Sequence, residues 1–462
     1  MLAWCRGRTP ARLAAVSAAE AGACEAKAIT FTDADGTSAT LKLTSGTAAV
    51  QFAGDNLYQL VGKSDVKMTG TNIRISNIDL TGDTSKATLS FTLKNSIAGS
   101  DGQIDLGGIT SQGAVKSIAG KGVNLSGDII LGGAVQSLTL NDVLGSQRAL
   151  SWGGSPQDPG AALVFHNVTD VTLTSGTPIK SLAVGYWHDD SGDADLITAP
   201  SLAKLSCVDG FEAGLYLSGD GVTAGKTVLG AVSVKGRLTG GAWIVLGSAG
   251  AISAAGTDTD WSAVIDGAVK SITTKGSTAG TIEALSIGSF KVTGDLDGAT
   301  IHLTQPSSSD LPKLKALGSL SVSGTMNSSI LASQGNIGTV SLGRMIGSTI
   351  FAGVDTLRNA PGTLPDETAD FDAMCALDKL TVAGITGQAV SFQDSFVAAT
   401  KLGAITLLDL PTDGTAGGGL AGDSLLKTYV RKAGKLAAFT LKGPLDAATP
   451  VEQIDDYIAR LV

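Results

Sequence analysis

An all-β chain wound as a single-stranded parallel β-helix is the architecture this sequence predicts, on three observations. A short step of the form apolar–x–small–apolar recurs along most of the chain. Its starting positions repeatedly fall about twenty residues apart, as at Val115, Val135, Leu229, Ala249, Val269, Leu317 and Ile337. Within each period the pattern is β-type alternation ended by glycine, with no amphipathic helix. A period near twenty with only strand pattern inside it means a β-solenoid; ankyrin and tetratricopeptide units are longer and need helices.

Residues 1–28 begin with Arg6, Arg8 and Arg12, followed by a short apolar run and small residues. This reads as a degraded signal region or a disordered leader. Residues 29–106 read as an N-terminal β cap. Ile29–Thr32 and Ala39–Leu43 flank the turn Asp33-Ala34-Asp35-Gly36, and closely spaced alternating strands follow. A solenoid needs such a cap because its end coil otherwise offers free strand edges. Asp33 and Asp35 are calcium candidates, but Asp in such turns ordinarily bonds its own backbone.

Residues 107–443 carry the repeat. Leu317-Gly318-Ser319-Leu320-Ser321-Val322-Ser323-Gly324 and Ile337-Gly338-Thr339-Val340-Ser341-Leu342-Gly343 are its clearest copies. Val, Ile, Leu and Ala are expected inward, Ser, Thr, Lys and Asp outward, and glycines at corners where positive φ is needed. A dozen coils stacked about 4.8 Å apart would span on the order of 60 Å. Irregular spacing predicts inserted loops over 144–163, 185–198, 304–315, 355–374 and 409–428. Residues 444–462 follow Thr449-Pro450 with Val451, Ile454, Ile458 and Leu461 at helical spacing, and are expected to form a short C-terminal helical cap.

Composition narrows the function classes. Glycine is 61 of 462 residues, but proline is only 12 and there is no Gly-X-Y period, so the chain is not collagen-like. The formal charge is 33 − 42 = −9 and Lys and Arg form no stripe, which argues against a nucleic-acid partner. No apolar run is long enough for a transmembrane helix. Cys5, Cys24, Cys207 and Cys375 form no CxxC pair, so a zinc site is not expected.

Chemistry is expected where the repeat is interrupted. The loop Tyr186-Trp187-His188-Asp189-Asp190-Ser191-Gly192-Asp193-Ala194-Asp195 gathers two aromatic rings, a histidine and four aspartates. Tyr186, Trp187, His188, Asp189 and Asp190 are the carbohydrate-binding candidates, since a ring face and acid groups grip a sugar. Two Asp at suitable separation could serve as acid and base in glycoside hydrolysis. Asp189, Asp190, Asp193 and Asp195 are the metal candidates, with Ca²⁺ the ion their oxygens suit. The plain alternative is a solvated acidic loop. No catalytic residue is assigned, and no cofactor other than the candidate Ca²⁺. Asp366, Glu367, Asp370 and Asp372, and also Asp258 and Asp260, read as polar excursions; His166 and His302 read as structural.

The copies at Leu317–Gly324 and Ile337–Gly343, with Ile287-Gly288-Ser289-Phe290-Lys291-Val292-Thr293-Gly294 and the Phe31–Gly36 opening, resemble uncharacterised repeat-rich parallel β-helix proteins of environmental bacteria, planctomycete-type exported proteins among them. The resemblance spans most of residues 29–443 and implies a β-helix and export, with no reaction attached. Two functions are therefore expected. The first is a non-catalytic exported or cell-surface scaffold for adhesion or cell-envelope interaction. The alternative is a carbohydrate-active β-helix, either a polysaccharide lyase, a glycoside hydrolase or a carbohydrate-binding module. The alternative requires the Asp189–Asp195 carboxylates to converge with a Lys or Arg of a neighbouring coil.

Overall fold

The computed structural model describes residues 12–17, 20–95, 98–305, 314–408, 417–422, 424–431, 452–454 and 457–461. They are overwhelmingly strand, and the one helical piece among them is the 3-10 turn Thr368–Asp370. Among the described residues no helix is long and apolar enough to cross a membrane. The chain forms two compact units, Met1–Val228 and Leu229–Val462.

The first unit opens with antiparallel pairing. Ala28–Thr32 pairs with Thr37–Leu43, which pairs with Thr88–Asn95, and Thr47–Val61 forms a long hairpin with Asp65–Thr81. The Asp33–Gly36 turn is closed by its own acids. Asp33 Oδ1 accepts the Gly36 and Thr37 N–H groups, and Asp35 accepts those of Thr37 and Asp101. Burial, and then the bond to Asp35, pushes the Asp33 carboxyl up to about 6. These aspartates are thus used by the turn, as the Asp-rich sequence suggests.

From this base the pairing becomes parallel. The strand Asp65–Thr81 carries both Ile104–Leu106 and Ile109–Ser111, and Thr88–Asn95 carries Val115–Ala119. Three strand faces then stack coil on coil, with Ser117 and Ser137 bonded through their hydroxyls 20 residues apart. Each face feeds one apolar column into the core. One runs Leu89, Ile118, Leu138, Leu163, Leu182, Leu205. Another runs Ile109, Ile129, Leu150, Leu173, Ile197, Leu215. The third runs Leu125, Val143, Val168, Trp187, Phe211. All of these are buried.

The second unit repeats the plan. Its longest column is Val232, Ile252, Ile272, Phe290, Leu320, Val340, Leu380, Ile405. The fourth position of the repeated step supplies every member, which is why the step is visible in sequence. Its second position explains the glycines differently from the expectation. A Cβ on Gly318 would meet the Gly288 carbonyl oxygen at 2.2 Å, and one on Gly338 would meet that of Gly318 at 2.2 Å. These glycines permit close approach of one coil to the next. Positive φ is needed instead at a different corner, where Gly347 (54°) shares the role with Ser328 (46°) and Asp394 (46°).

Three expectations change. Arg12–Ser17 and Glu20–Ala26, placed in a disordered leader over residues 1–28, are strands, the first paired parallel to Thr47–Phe52. The C-terminal helix expected within 444–462 is replaced, where described, by the strands Glu452–Ile454 and Tyr457–Leu461. Tyr457–Leu461 pairs parallel to Gly418–Gly422, because a strand satisfies the free backbone edge of a coil and a helix does not. The loop expected over 144–163 is largely coil: Val143–Trp152 is one strand and Trp152 is in the core. Most of the 304–315 loop, and 409–416, lie outside the described residues; the rest of the loop expected over 409–428 is strand where described, Gly418–Gly422 and the start of Ser424–Arg431. Cys207 and Cys375 are buried and in no disulfide, and burial pushes the Cys207 thiol up to about 11.

Candidate functional site

The loop singled out in the sequence begins as a strand, Tyr186–His188, that pairs with Asn167–Thr169 of the coil beneath. Alternation along that strand decides where its side chains go. Trp187 points inward and is 0% exposed, with its ring edge-on to Phe211 at 5.9 Å. This corrects the carbohydrate assignment of Trp187: a ring that forms part of the apolar column has no face for a sugar. Tyr186 is half-buried and His188 exposed, their rings in edge contact at 5.2 Å. His188 Nδ1 lies 2.9 Å from Glu212 Oε2, and the same oxygen accepts the Asp189 N–H.

The metal assignment also shifts. The carboxylates that come together are Asp170, Asp189 and Asp195, with one oxygen from each within 4.8 Å of the others. Asp190 and Asp193 are not in this group. Asp193 accepts a hydrogen bond from the Gln147 amide, and Asp190 is exposed, its N–H donating to Asp170 Oδ1. Asp170, which sequence reading missed, sits at a corner with φ 55°, a conformation that Asp tolerates better than most residues. A visible signal existed: Asp170 lies 20 residues, one coil, before Asp190.

The carboxylates of this corner accept N–H groups both from the next coil and from within the loop. Asp170 Oδ1 accepts the N–H groups of Asp190 and Ser191, each at 2.8 Å. Asp189 Oδ2 accepts the Asp195 N–H at 3.2 Å. Asp195 is 3% exposed, and its Oδ2 accepts the Trp187 indole N–H at 2.7 Å. Burial raises the Asp195 carboxyl to about 6, helped by the nearby Asp189 and Asp170 charges and opposed by the Val171 N–H and the indole. Asp170, Asp189 and Asp195 are the residues that could hold a divalent cation, as an all-oxygen set suited to a hard ion. Among the described residues, no Lys or Arg forms an ion pair with any aspartate of this corner.

The other acidic stretches are likewise tied to structure. Asp258 pairs with the Arg237 guanidinium, and Trp261 is buried edge-on to Trp243 at 5.4 Å. Asp370 accepts the N–H groups of Asp366 and Glu367, which hold its carboxyl below the usual range. His166 Nδ1 is 2.9 Å from Asp142, whose Oδ1 also takes the Asn167 N–H. Compared with protein-family models, curated proteins and solved structures, the chain finds no match.

Proposed function

We propose that the chain acts as a non-catalytic β-helical scaffold of exported or cell-surface type, used for adhesion or cell-envelope contact. The observation that carries this reading is how the acidic corner uses its groups. Asp170 accepts N–H groups of the next turn, Asp189 accepts one within its own loop, and Asp195 accepts a buried indole N–H. A general acid or base must instead reach a substrate proton. Outward positions of the repeat, such as Ser319, Ser321, Thr339 and Ser341, are small hydroxyl residues that suit a regular contact surface.

The test is a binding and turnover screen of the full chain against isolated cell-envelope polymers and soluble polysaccharides, with calcium and with chelator. Saturable binding to an envelope polymer without chain cleavage is expected. Release of reducing ends or of unsaturated products would overturn the reading, and so would the absence of binding to every polymer. The carbohydrate-active reading retains one supporting observation, the grouping of Asp170, Asp189 and Asp195 beside Tyr186 and His188. The same screen decides it, since that reading requires turnover or sugar binding lost in Asp189→Asn.

A further inference from the structure

In the second unit, residues 354–373 leave the coils and fold back over them. They cover outward positions of the strands Thr349–Ala352, Ser395–Ala399 and Gly418–Gly422. Along this face one outward row reads Val264, Glu283, His302, Ala332, Phe351, Ala398, Ala421. The row is mixed and partly solvated until it passes under the insertion, where it becomes uncharged and apolar. Phe351, Ala398 and Ala421 are buried there with Val354, against Leu364, Phe371 and Phe396.

The hydrogen bonds of the insertion are largely its own. Asp355 N–H donates to the Asp370 carbonyl at 2.8 Å, Asn359 N–H to Asp355 at 2.9 Å, Thr363 N–H to Ala360 at 3.2 Å and Phe371 N–H to Thr368 at 3.2 Å. Its two ends meet at Gly353, whose carbonyl accepts the Asp372 N–H at 2.9 Å. Gly353 has φ 72°, and a Cβ there would meet the Ala373 carbonyl at 2.5 Å. Direct hydrogen bonds to the coils run from Gly362 N–H to Thr349 Oγ1 and, at the end of the insertion, from Thr400 Oγ1 to the Ala373 carbonyl. Lifting the insertion would therefore break a small apolar contact and the Gly362–Thr349 hydrogen bond, and leave both its internal bonds and the parallel ladders in place. Segments with few buried contacts are the ones that open below global unfolding.

We infer that residues 354–373 form a strap, pivoting at Gly353, that lifts from this face as a unit while the coils beneath stay folded. Opening uncovers an uncharged apolar patch of Phe351, Phe396, Ala398 and Ala421. This holds whether or not the scaffold reading does. Hydrogen exchange on the full chain tests it. The Gly362 amide, whose bond crosses to Thr349 Oγ1, is expected to exchange at least about 100-fold faster than those of Ile350 and Val397. Leu364→Asp is expected to raise binding of an apolar dye severalfold while shifting the unfolding midpoint far less than Leu380→Ala. Exchange of the Gly362 amide at the rate of the strand amides would overturn the inference. So would a Leu364→Asp variant destabilised as much as Leu380→Ala.

Discussion

At Ser329, Ser348 and Ser395 in the second unit, and at Asp170, Asp189 and Asp195 in the first, a coil turns a corner and backbone N–H groups, buried at the serines and partly solvated at the aspartates, need acceptors. The serines do this with neutral hydroxyls. Ser348 Oγ accepts the Ser329 N–H at 3.1 Å and Ser395 Oγ accepts the Ser348 N–H at 3.2 Å. Each hydroxyl donates to a nearby carbonyl, as Ser348 does to Ile346 at 2.8 Å. All three serines are buried, and the residue before each has positive φ. The aspartates accept comparable N–H groups with carboxylates, one of them buried beside two others. Both arrangements satisfy the backbone. Only the carboxylate version makes the fastening depend on proton or cation concentration, so an acidic cluster can arise from a structural need alone.

The largest effect expected from this contrast is at Trp187. Trp187→Ala removes a member of an apolar column and leaves Asp195 buried without its indole donor. A loss of about 3–5 kcal/mol is expected in denaturant unfolding. Next is Asp195→Asn. The folded-state carboxyl is raised to about 6 from its ordinary value of 3.8, so the native chain holds this proton more tightly than the unfolded one. Its contribution is therefore most favourable below pH 4 and is lost as pH rises from about 4 to 6, by up to about 3 kcal/mol. Asn keeps an acceptor for the indole and cannot ionise. The variant is expected to be more stable than wild type above pH 6 and to lose this slope.

Ser348→Ala should cost about 1–2 kcal/mol, because the Ser329 N–H loses its acceptor in a buried place. That cost is expected to be the same at pH 5 and pH 8, unlike any change at Asp195. The smallest effect is at Asp170. Asp170→Gly keeps the positive φ and removes the acceptor of two partly solvated N–H groups. About 1 kcal/mol or less is expected, with faster hydrogen exchange at Asp190 and Ser191.

Much of the fold is written in the chain because coil stacking repeats one requirement every turn. The apolar fourth position of Leu317–Leu320 and Ile337–Val340 lies in a core column, and the glycines at 318 and 338 lie where a Cβ would strike the coil beneath. The acidic corner was half legible. Asp189 and Asp195 stand in one loop, but Asp170 reaches them only by stacking, so it emerges when residues are aligned by coil rather than by local motif. Trp187 misled because an aromatic beside aspartates looks like a sugar platform. Its place in the strand, two residues after Gly185, turns its ring inward instead. The strand Tyr457–Leu461 reads as a helix from its spacing, because the backbone edge it pairs with is remote in sequence.

The direct measurement is unfolding free energy against pH for wild type and Asp195→Asn, each with millimolar calcium and with chelator. If the carboxylates serve as hydrogen-bonded fasteners, wild type loses more stability between about pH 4 and 6 than the variant, which keeps only the Asp33 share, and calcium changes neither curve. A saturable calcium-dependent gain that abolishes the slope in wild type and is missing from Asp195→Asn would contradict this. It would make the corner a cation site instead.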